Sequence, residues 1–377
     1  MFDLKNTFIQ HYGGCFRRRF YVKFEGDAFM TPHRHPTPAS RSARLRRFAT
    51  ALAGAVGLVL TTALPAAAEG TIRIAEQFGL GYLPLQILRD RNLIEQHGKA
   101  QGVDVKVEWA QLSGGAAMND ALLSDSIDLA AGGVGPLLTV WDRTKGSANV
   151  RAIAALNSLP AFLTTNNPAV RSLKDFTDKD RIALPAVKVS VQARILQIAA
   201  EQAFGAGKHD ALDRLTVSLP HPDATAALLS GASEITGHLS SAPFQYLQLK
   251  DPKIHKVFSS YDVLGGPHTA NLVWAKESFR AQNPKTYRAF LDALAEAVAL
   301  IQRDPEAAAD AYRAQNKGDL DRDFVLSLLK DPDIRYTLAP ERVEQFASFM
   351  HKVGAIRNKP ASWKDVFFPD LHGETGS

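Results

Sequence analysis

VDVKVEWAQLSGGAAMNDALLSDSIDLAAGG, residues 103–133, is the segment that decides the fold of this 377-residue chain. It begins with alternating apolar residues, which are typical of a β-strand, and Ser113-Gly114-Gly115 then opens a helix. Ala-Leu-Leu-Ser, residues 121–124, ends that helix, and the apolar run after it predicts a second strand that enters Gly132-Gly133. A strand, a helix and a strand in this order predict a parallel βαβ unit with the helix packed on the sheet.

The same alternation precedes this unit and returns later in the chain. TIRIAEQF, residues 71–78, predicts a strand, and a helix follows it. Beyond the linker-like residues 164–180, RIALPAV (residues 181–187) starts a second series of strands and helices that ends near residue 240. Two such series predict an α/β protein with two lobes, since a single core stops growing beyond about 250–300 residues.

A short phrase occurs at corresponding places in the two series. Residues 121–136 read ALLSDSIDLAAGGVGP, and residues 227–243 read ALLSGASEITGHLSSAP. Each copy ends a helix, passes through a strand and finishes in the loop after that strand, where open α/β sheets bind their ligands. The phrase indicates either a duplicated lobe or a chance match, so the two-lobed prediction depends on the whole alternation.

The amino-terminal segment has the features of a secretory signal peptide. Three arginines lie within residues 42–47, residues 51–64 carry no charge, and Ala66 and Ala68 form an A-x-A cleavage site. The uncharged stretch is shorter than the roughly 20 residues that span a bilayer, which disfavours an uncleaved anchor. We therefore expect cleavage after Ala68 and export to the periplasm.

Charge and residue composition exclude several functions. The chain has 44 Lys and Arg and 39 Asp and Glu, but ten of the basic residues and only three of the acidic ones precede Glu69. The exported part is therefore slightly acidic, which argues against nucleic-acid binding. The one cysteine, Cys15, lies in the segment to be removed. Because H-E-x-x-H and G-x-S-x-G are absent, we expect no metal, no cofactor and no catalysis.

Three segments together carry a resemblance to a known family: GLGYLPLQILRDRNLIEQHG (79–98), VEWAQLSGGAAMNDALLSDSIDLAAGG (107–133) and NPKTYRAFLDALAEAVALIQRDPEAA (283–308). They resemble periplasmic substrate-binding proteins of ABC importers, in the branch with sulfonate, taurine and nitrate binders. The resemblance implies an α/β, two-lobed type II periplasmic binding protein fold with the ligand cleft between the lobes. It also implies a small anionic ligand, a permease and its ATPase as partners, and a monomer that is not an enzyme.

The resemblance also implies a division of the chain. Residues 1–68 are an upstream extension and signal peptide, residues 69–165 begin lobe 1, residues 166–265 form lobe 2, and residues 266–377 return to lobe 1 and end in a helical tail. Two other classes share this fold, the pyrimidine synthases of thiamine biosynthesis and the effector domains of transcription regulators. The first would need cysteine-rich and histidine motifs, and the second would need a helix-turn-helix in place of the signal peptide.

Loops after successive strands line the cleft in this family, and the resemblance gives that role to the matching positions here. These are Gln77, Phe78, Gly79, Tyr82, Ser113, Gly114, Gly115, Gly132, Gly133, Val134, Lys188, Ser190, Val191, Gln192, His238 and His268. Unpaired N–H groups and the helix dipole at the starts near Ser113 and Ser190 favour an anion. Structural alternatives remain: Lys188 as a solvated surface lysine, and His238 and His268 as hydrogen-bonded core residues. His221, between two prolines, is expected in a loop.

Overall fold

Ten strands form two five-stranded sheets in the computed structural model, which describes residues 69–317 and 320–377. Numbered along the chain, they are β1 Thr71–Glu76, β2 Lys106–Gln111, β3 Leu129–Gly132, β4 Arg151–Ser158, β5 Phe162–Thr165, β6 Ile182–Leu184, β7 Thr216–Ser218, β8 Gly237–Ser240, β9 His255–Ser259 and β10 Thr269–Ala275. The sheet of lobe 1 has the order β2-β1-β3-β10-β4, and that of lobe 2 the order β7-β6-β8-β5-β9. β10 and β5 run antiparallel to their neighbours, each in the fourth place of its sheet.

Four helices follow the strands of each lobe, and five more follow the return to lobe 1. They are α1 Leu83–Arg91, α2 Leu93–Ala100, α3 Gly115–Leu123, α4 Val134–Thr144, α5 Val191–Phe204, α6 His221–Ser230, α7 Phe244–Gln248, α8 Ser260–Leu264, α9 Glu277–Gln282, α10 Pro284–Arg303, α11 Pro305–Gln315, α12 Arg322–Leu329 and α13 Val343–Lys352. Among the described residues, no helix is both long and apolar enough to cross a bilayer.

The chain crosses between the lobes twice. Because β5 pairs with β8 and β9, it belongs to lobe 2, and the first crossing lies between Ser158 and Phe162. The sequence placed this boundary at residue 166, so it put β5 in the wrong lobe. The return crossing lies between β9 and β10 and includes Gly265 and Gly266, whose φ values of 78° and 135° favour glycine.

The carboxyl-terminal helices pack mainly on lobe 1. On α10 the buried residues follow the helical period, because one face must meet α1 and α2; they are Tyr287, Phe290, Leu294, Val298 and Ile301. The last helix, α13, contacts α4 of lobe 1 and α5 of lobe 2. Lys352 at its end pairs with Glu201 of α5 at 2.6 Å. The tail therefore contacts both lobes.

The repeated phrase of the sequence lies at equivalent places in the two sheets. The first copy runs from α3 into β3, the second from α6 into β8, and both strands are third in their sheet order. Leu123 and Leu229, at the matching helix ends, are both about 40% exposed. The two copies therefore occupy the same topological position, which is the relation that a duplicated lobe requires.

Candidate functional site

A small cavity lies between the lobes, where loops that follow parallel strands of both sheets meet. It is lined by Gln77, Phe78, Tyr82, Gly115, Gly133, Pro136, Pro185, Ser190, Val191, Gln192, His221, Ser241 and Asn271. Its free volume is about 20 Å³, which is room for roughly one water-sized group. The two lobes therefore enclose a narrow polar cavity, which must widen to hold a ligand larger than water.

Glycines allow the lobes to approach this closely. A Cβ atom added at Gly114 would lie 2.6 Å from the Pro185 carbonyl oxygen of the other lobe, and one at Gly133 would lie 2.7 Å from the Val191 side chain. Both glycines have extended backbone, with φ of −176° and −83°, so conformation alone does not require glycine there. They are needed because the other lobe approaches within contact distance at both positions.

Besides α6, which starts at His221, three helices begin at the cavity wall. α3 starts at Gly115, α4 starts after Gly133, and neither has a side-chain cap. α5 starts after Ser190, whose Oγ accepts a hydrogen bond from Ala193 N at 3.2 Å. The first-turn N–H groups of a helix have no partner within the helix, and its dipole is positive at this end. Three such helix starts make the cavity favourable for an anion.

Tyr82 provides a side-chain donor from lobe 1. Its hydroxyl oxygen accepts a hydrogen bond from Asn271 Nδ2 at 2.9 Å, and Asn271 N donates to Asn157 Oδ1 at 3.1 Å. Burial, together with the nearby Glu76 carboxylate, raises the pKa of Tyr82 well above its usual value. The phenol therefore stays protonated, and its O–H remains for a ligand.

A buried chain of hydrogen bonds fixes a donor on lobe 2. Gln248 Nε2 lies 2.6 Å from His238 Nδ1, so this nitrogen accepts and His238 Nε2 carries the proton. His238 Nε2 lies 2.9 Å from His221 Nδ1, which must then accept, leaving the proton of His221 on Nε2. The chain therefore gives His221, a cavity residue, an Nε2–H donor.

Gln192 completes this side of the cavity. Its amide nitrogen lies 3.3 Å from His221 Nε2, and two N–H donors cannot share one contact. The amide therefore presents Oε1 to His221 and its NH₂ group to the cavity, since the two amide orientations occupy the same space. Gln192 is then the donor to the cavity, and the Nε2–H of His221 orients its amide.

The donors that surround the cavity are neutral. Its lining contains no Lys, Arg, Asp or Glu within residues 69–317 and 320–377. Burial lowers the pKa of His221 to about 3, and burial and the neighbouring His221 lower that of His238 well below its usual value. Over the same described residues, no group of three or more His, Cys, Asp or Glu is arranged to hold a metal ion. The arrangement is suited to noncovalent binding.

The structure brings half of the predicted site residues to the cavity. Those that line it are Gln77, Phe78, Tyr82, Gly115, Gly133, Ser190, Val191 and Gln192. The predicted residues Ser113, Gly114, Gly132 and Val134 lie within one or two chain positions of lining residues but do not line it themselves. Gly79 lines a neighbouring chamber instead.

The three predicted charged or titratable contacts lie elsewhere. Lys188 has an exposed side chain outside the lining, and its charge acts on Asp213. His238 lies behind His221 in the hydrogen-bond chain. His268 is held by Ser260 Oγ at 2.8 Å and by the Thr269 carbonyl at 3.0 Å. The alternatives noted from the sequence, a solvated lysine and core histidines, describe these three positions.

Sequence reasoning missed His221, which was expected in a loop but is the first residue of α6. It also missed Pro136, Pro185, Ser241 and Asn271. A usable signal was present for His221, because a proline in the first turn is typical of a helix start. α6 follows β7 in lobe 2 as α3 follows β2 in lobe 1, and both helices begin at the cavity.

The chain has the two-lobed fold of periplasmic binding proteins, with a cavity between the lobes. The chain belongs to the NMT1-like family, whose model matches residues 75–315. No curated protein matches it in sequence.

Solved structures share the fold. The alkanesulfonate-binding protein SsuA of Xanthomonas axonopodis pv. citri, bound to MOPS, is similar with a TM-score of 0.62 and 18% identity, covering 80% of this chain and 97% of that one. The periplasmic nitrate-binding protein NrtA of Synechocystis PCC 6803 gives a TM-score of 0.64 and 17% identity, with 81% and 88% covered. The periplasmic aliphatic sulphonate binding protein SsuA of Escherichia coli gives 0.57 and 18%, with 79% and 92% covered.

Proposed function

We propose that this protein is the periplasmic solute-binding component of an ABC importer and that it binds a small anion such as a sulfonate, taurine or nitrate. The enclosed cavity between the lobes carries the proposal, because three helix starts and several neutral donors converge there. Neutral donors hold an oxyanion by hydrogen bonds without a permanent opposite charge. Sulfonate- and nitrate-binding proteins with the same fold support this ligand class.

Binding proceeds by closure of the two lobes. Neither lobe alone surrounds the cavity, since Tyr82 belongs to lobe 1 and His221 to lobe 2. A ligand that contacts both lobes binds the closed form more tightly and shifts the population toward it. The closed form is then recognised by a membrane permease, whose ATPase drives transport, and the protein acts as a monomer without catalysis.

Location follows from the same proposal. The solute-binding component of an importer works outside the inner membrane, and the signal-peptide features before Glu69 support export with cleavage after Ala68. Those features lie outside the described residues. Amino-terminal sequencing of the periplasmic product is expected to begin at Glu69, and a start before Leu60 contradicts it.

A binding screen tests the ligand class. Ethanesulfonate, taurine, nitrate and bicarbonate are added to the purified protein in a thermal-unfolding assay. A true ligand at 100 times its Kd is expected to add about 2.7 kcal/mol of stability, with one ligand per chain by calorimetry and no chemical change. Turnover of a bound compound, or stabilisation by no anion, overturns the proposal.

A further inference from the structure

A second and much larger space, which we call the outer chamber, lies beside the cavity and also between the lobes. Its walls include Glu76, Gln86, Arg89, Tyr312 and Lys317 from lobe 1 and its tail, and Pro222, Phe244 and Leu247 from lobe 2, so within the described residues its charged groups are one carboxylate and two cations. Its volume is about 670 Å³, within the roughly 300–1,000 Å³ of small-molecule sites. Phe78 lines both the small cavity and the outer chamber, so its ring lies between them.

The chamber contains a buried carboxylate with one oxygen to spare. Glu76, at the end of β1, is 1% exposed, and its Oε1 accepts a hydrogen bond from Arg89 Nη2 at 2.9 Å. Oε2 is buried and has no hydrogen-bond partner among residues 69–317 and 320–377. A buried carboxylate oxygen without a hydrogen bond costs free energy, so its presence in a residue that lines the chamber indicates a missing donor.

Arg89 is not free to supply that donor. Its Nε donates to Gln315 Oε1 at 2.7 Å, and its guanidinium lies over the Trp109 ring, 5.2 Å from the centroid. With the contact to Glu76 Oε1, the guanidinium is held on three sides. No residue within 69–317 and 320–377 donates to Glu76 Oε2, so this oxygen is open to a donor from a bound molecule.

We propose that the outer chamber binds an organic solute through a cationic nitrogen group, an ammonium or amidinium, that donates a hydrogen bond to Glu76 Oε2. The aromatic rings of Phe78, Phe244 and Tyr312 suit such a group, because a cation is attracted to ring faces. Arg89 bonds Oε1 alone, so the lone pairs of Oε2 remain for a hydrogen bond from the solute. The site does not require the anion cavity, although one zwitterionic solute would reach both across Phe78.

The site has a distinctive pH dependence. Burial raises the pKa of Glu76 to about 7, against the opposing effect of Arg89. The other ionisable groups beside it are Arg89 on α1, Tyr82 before α1 and Tyr312 on α11, and both tyrosines have pKa values raised by burial and by Glu76. Glu76 alone changes charge near neutrality. A cation that needs the carboxylate form therefore binds about ten-fold more tightly at pH 8 than at pH 6.

Benzamidine and its neutral analogue benzamide, which differ mainly in charge, test the proposal by calorimetry on the purified protein. Benzamidine is expected to bind at least ten-fold more tightly than benzamide, with the pH dependence above. Glu76→Gln is expected to remove both the preference and the pH dependence. Glu108→Gln, at an exposed glutamate of β2, serves as the matched control and is expected to change neither.

Two further measurements keep the result independent of the anion proposal. The pH titration of the unmodified protein needs no variant to fold. Gln192→Ala, which affects the anion cavity and lies outside the lining of the outer chamber, is expected to leave benzamidine affinity within two-fold. Equal binding of benzamidine and benzamide, unchanged binding by Glu76→Gln, or no benzamidine binding at millimolar concentration overturns the proposal, whatever the anion screen gives.

Discussion

The two lobes have the same strand order but present different chemical groups to the cavity between them. In lobe 1 the loops after β2 and β3 supply Gly115 and Gly133, so backbone N–H groups are accessible there. In lobe 2 the segment after β7 supplies the His221 side chain, and the loop after β8 supplies Ser241. Shared topology determines where the loops lie, and the local sequence determines whether backbone or side chain provides the donor.

The supports behind the two walls differ as well. Tyr82 of lobe 1 is held by Asn271, which is held in turn by Asn157, so that wall is oriented by amides. His221 of lobe 2 is held by His238, a fully buried residue. Amides do not titrate, whereas histidines do, and the two lobes therefore respond differently to both mutation and acid.

The largest effect is expected at the contact between the lobes. Gly114→Ala places a methyl group 2.6 Å from the Pro185 carbonyl oxygen, where ordinary contact begins near 3.4 Å. Since this oxygen belongs to backbone, it cannot rotate away, and the clash exists only in the closed form. We expect anion affinity to fall more than about a hundred-fold, equivalent to roughly 2.8 kcal/mol, as measured by calorimetry.

Solution scattering separates this effect from unfolding. With saturating anion, the parent protein is expected to have the smaller radius of gyration, while Gly114→Ala stays at the size of the open form. Gly373→Ala is the matched control, because a Cβ there meets nothing within 4 Å. A Gly114→Ala protein that closes and binds like the parent contradicts the contact described here.

The next effect compares one donor from each lobe. His221→Leu removes the Nε2–H that orients the Gln192 donor of lobe 2, and Tyr82→Phe removes the phenol O–H of lobe 1 while keeping its ring. A hydrogen bond to a charged group contributes roughly 1.5–3 kcal/mol. We therefore expect each variant to lose about ten- to hundred-fold in anion affinity, measured by calorimetry on folded protein. If only Tyr82→Phe loses affinity, lobe 1 holds the anion alone and the histidine chain is structural.

Much of this fold was predictable from local patterns. The 2.0- and 3.6-residue periods identified the strands and helices, and ligands in open α/β sheets collect after the strands, so residues such as Gln77 and Gln192 could be proposed. β5 was assigned to the wrong lobe because its partners, β8 and β9, are distant in sequence. The pairing of His221 with His238 was not predictable either, since it depends on how α6 packs over β8.

Contact between lobes is the least predictable feature. At Gly114 neither the φ angle nor the lobe itself demands glycine, and the atom that excludes a side chain belongs to the other lobe. A single sequence gives no period or spacing for such a contact. For the same reason the sequence did not predict Asn271 as a site residue. It belongs to the return strand β10 and lies far along the chain from Tyr82, which it contacts.

Acid is expected to act in opposite directions on the two lobes. His221 and His238 have pKa values lowered by burial, so the unfolded chain binds more protons than the native one below pH 6.5. Their contribution to the free energy of unfolding therefore decreases as the pH is lowered. Glu76 has a pKa raised to about 7, so the native state binds more protons between pH 4.5 and 7, and its contribution to stability rises as pH falls. The histidines outnumber Glu76, since His268 adds a third with a pKa lowered to about 4.

Glu76→Gln removes the opposing contribution. Its free energy of unfolding is expected to fall between pH 6.5 and 5 more steeply than that of the parent, by about 1.4 kcal/mol per pH unit. Urea unfolding at several pH values measures this slope, with Glu108→Gln as the exposed control. A slope equal to that of the parent would mean that Glu76 titrates near its ordinary pKa.

The smallest effect is expected at Lys188, the one cation that the sequence placed among the ligand contacts. Its side chain is exposed, and the cavity lining excludes it. Its φ of 60° lies in the left-handed region, but methionine has the same preference there as lysine, so Lys188→Met changes the charge and little else. Exposed charges are screened by salt and surface pairs contribute at most about 1 kcal/mol. We expect anion affinity to change less than about two-fold at physiological salt, and a ten-fold loss would instead show that Lys188 reaches the anion.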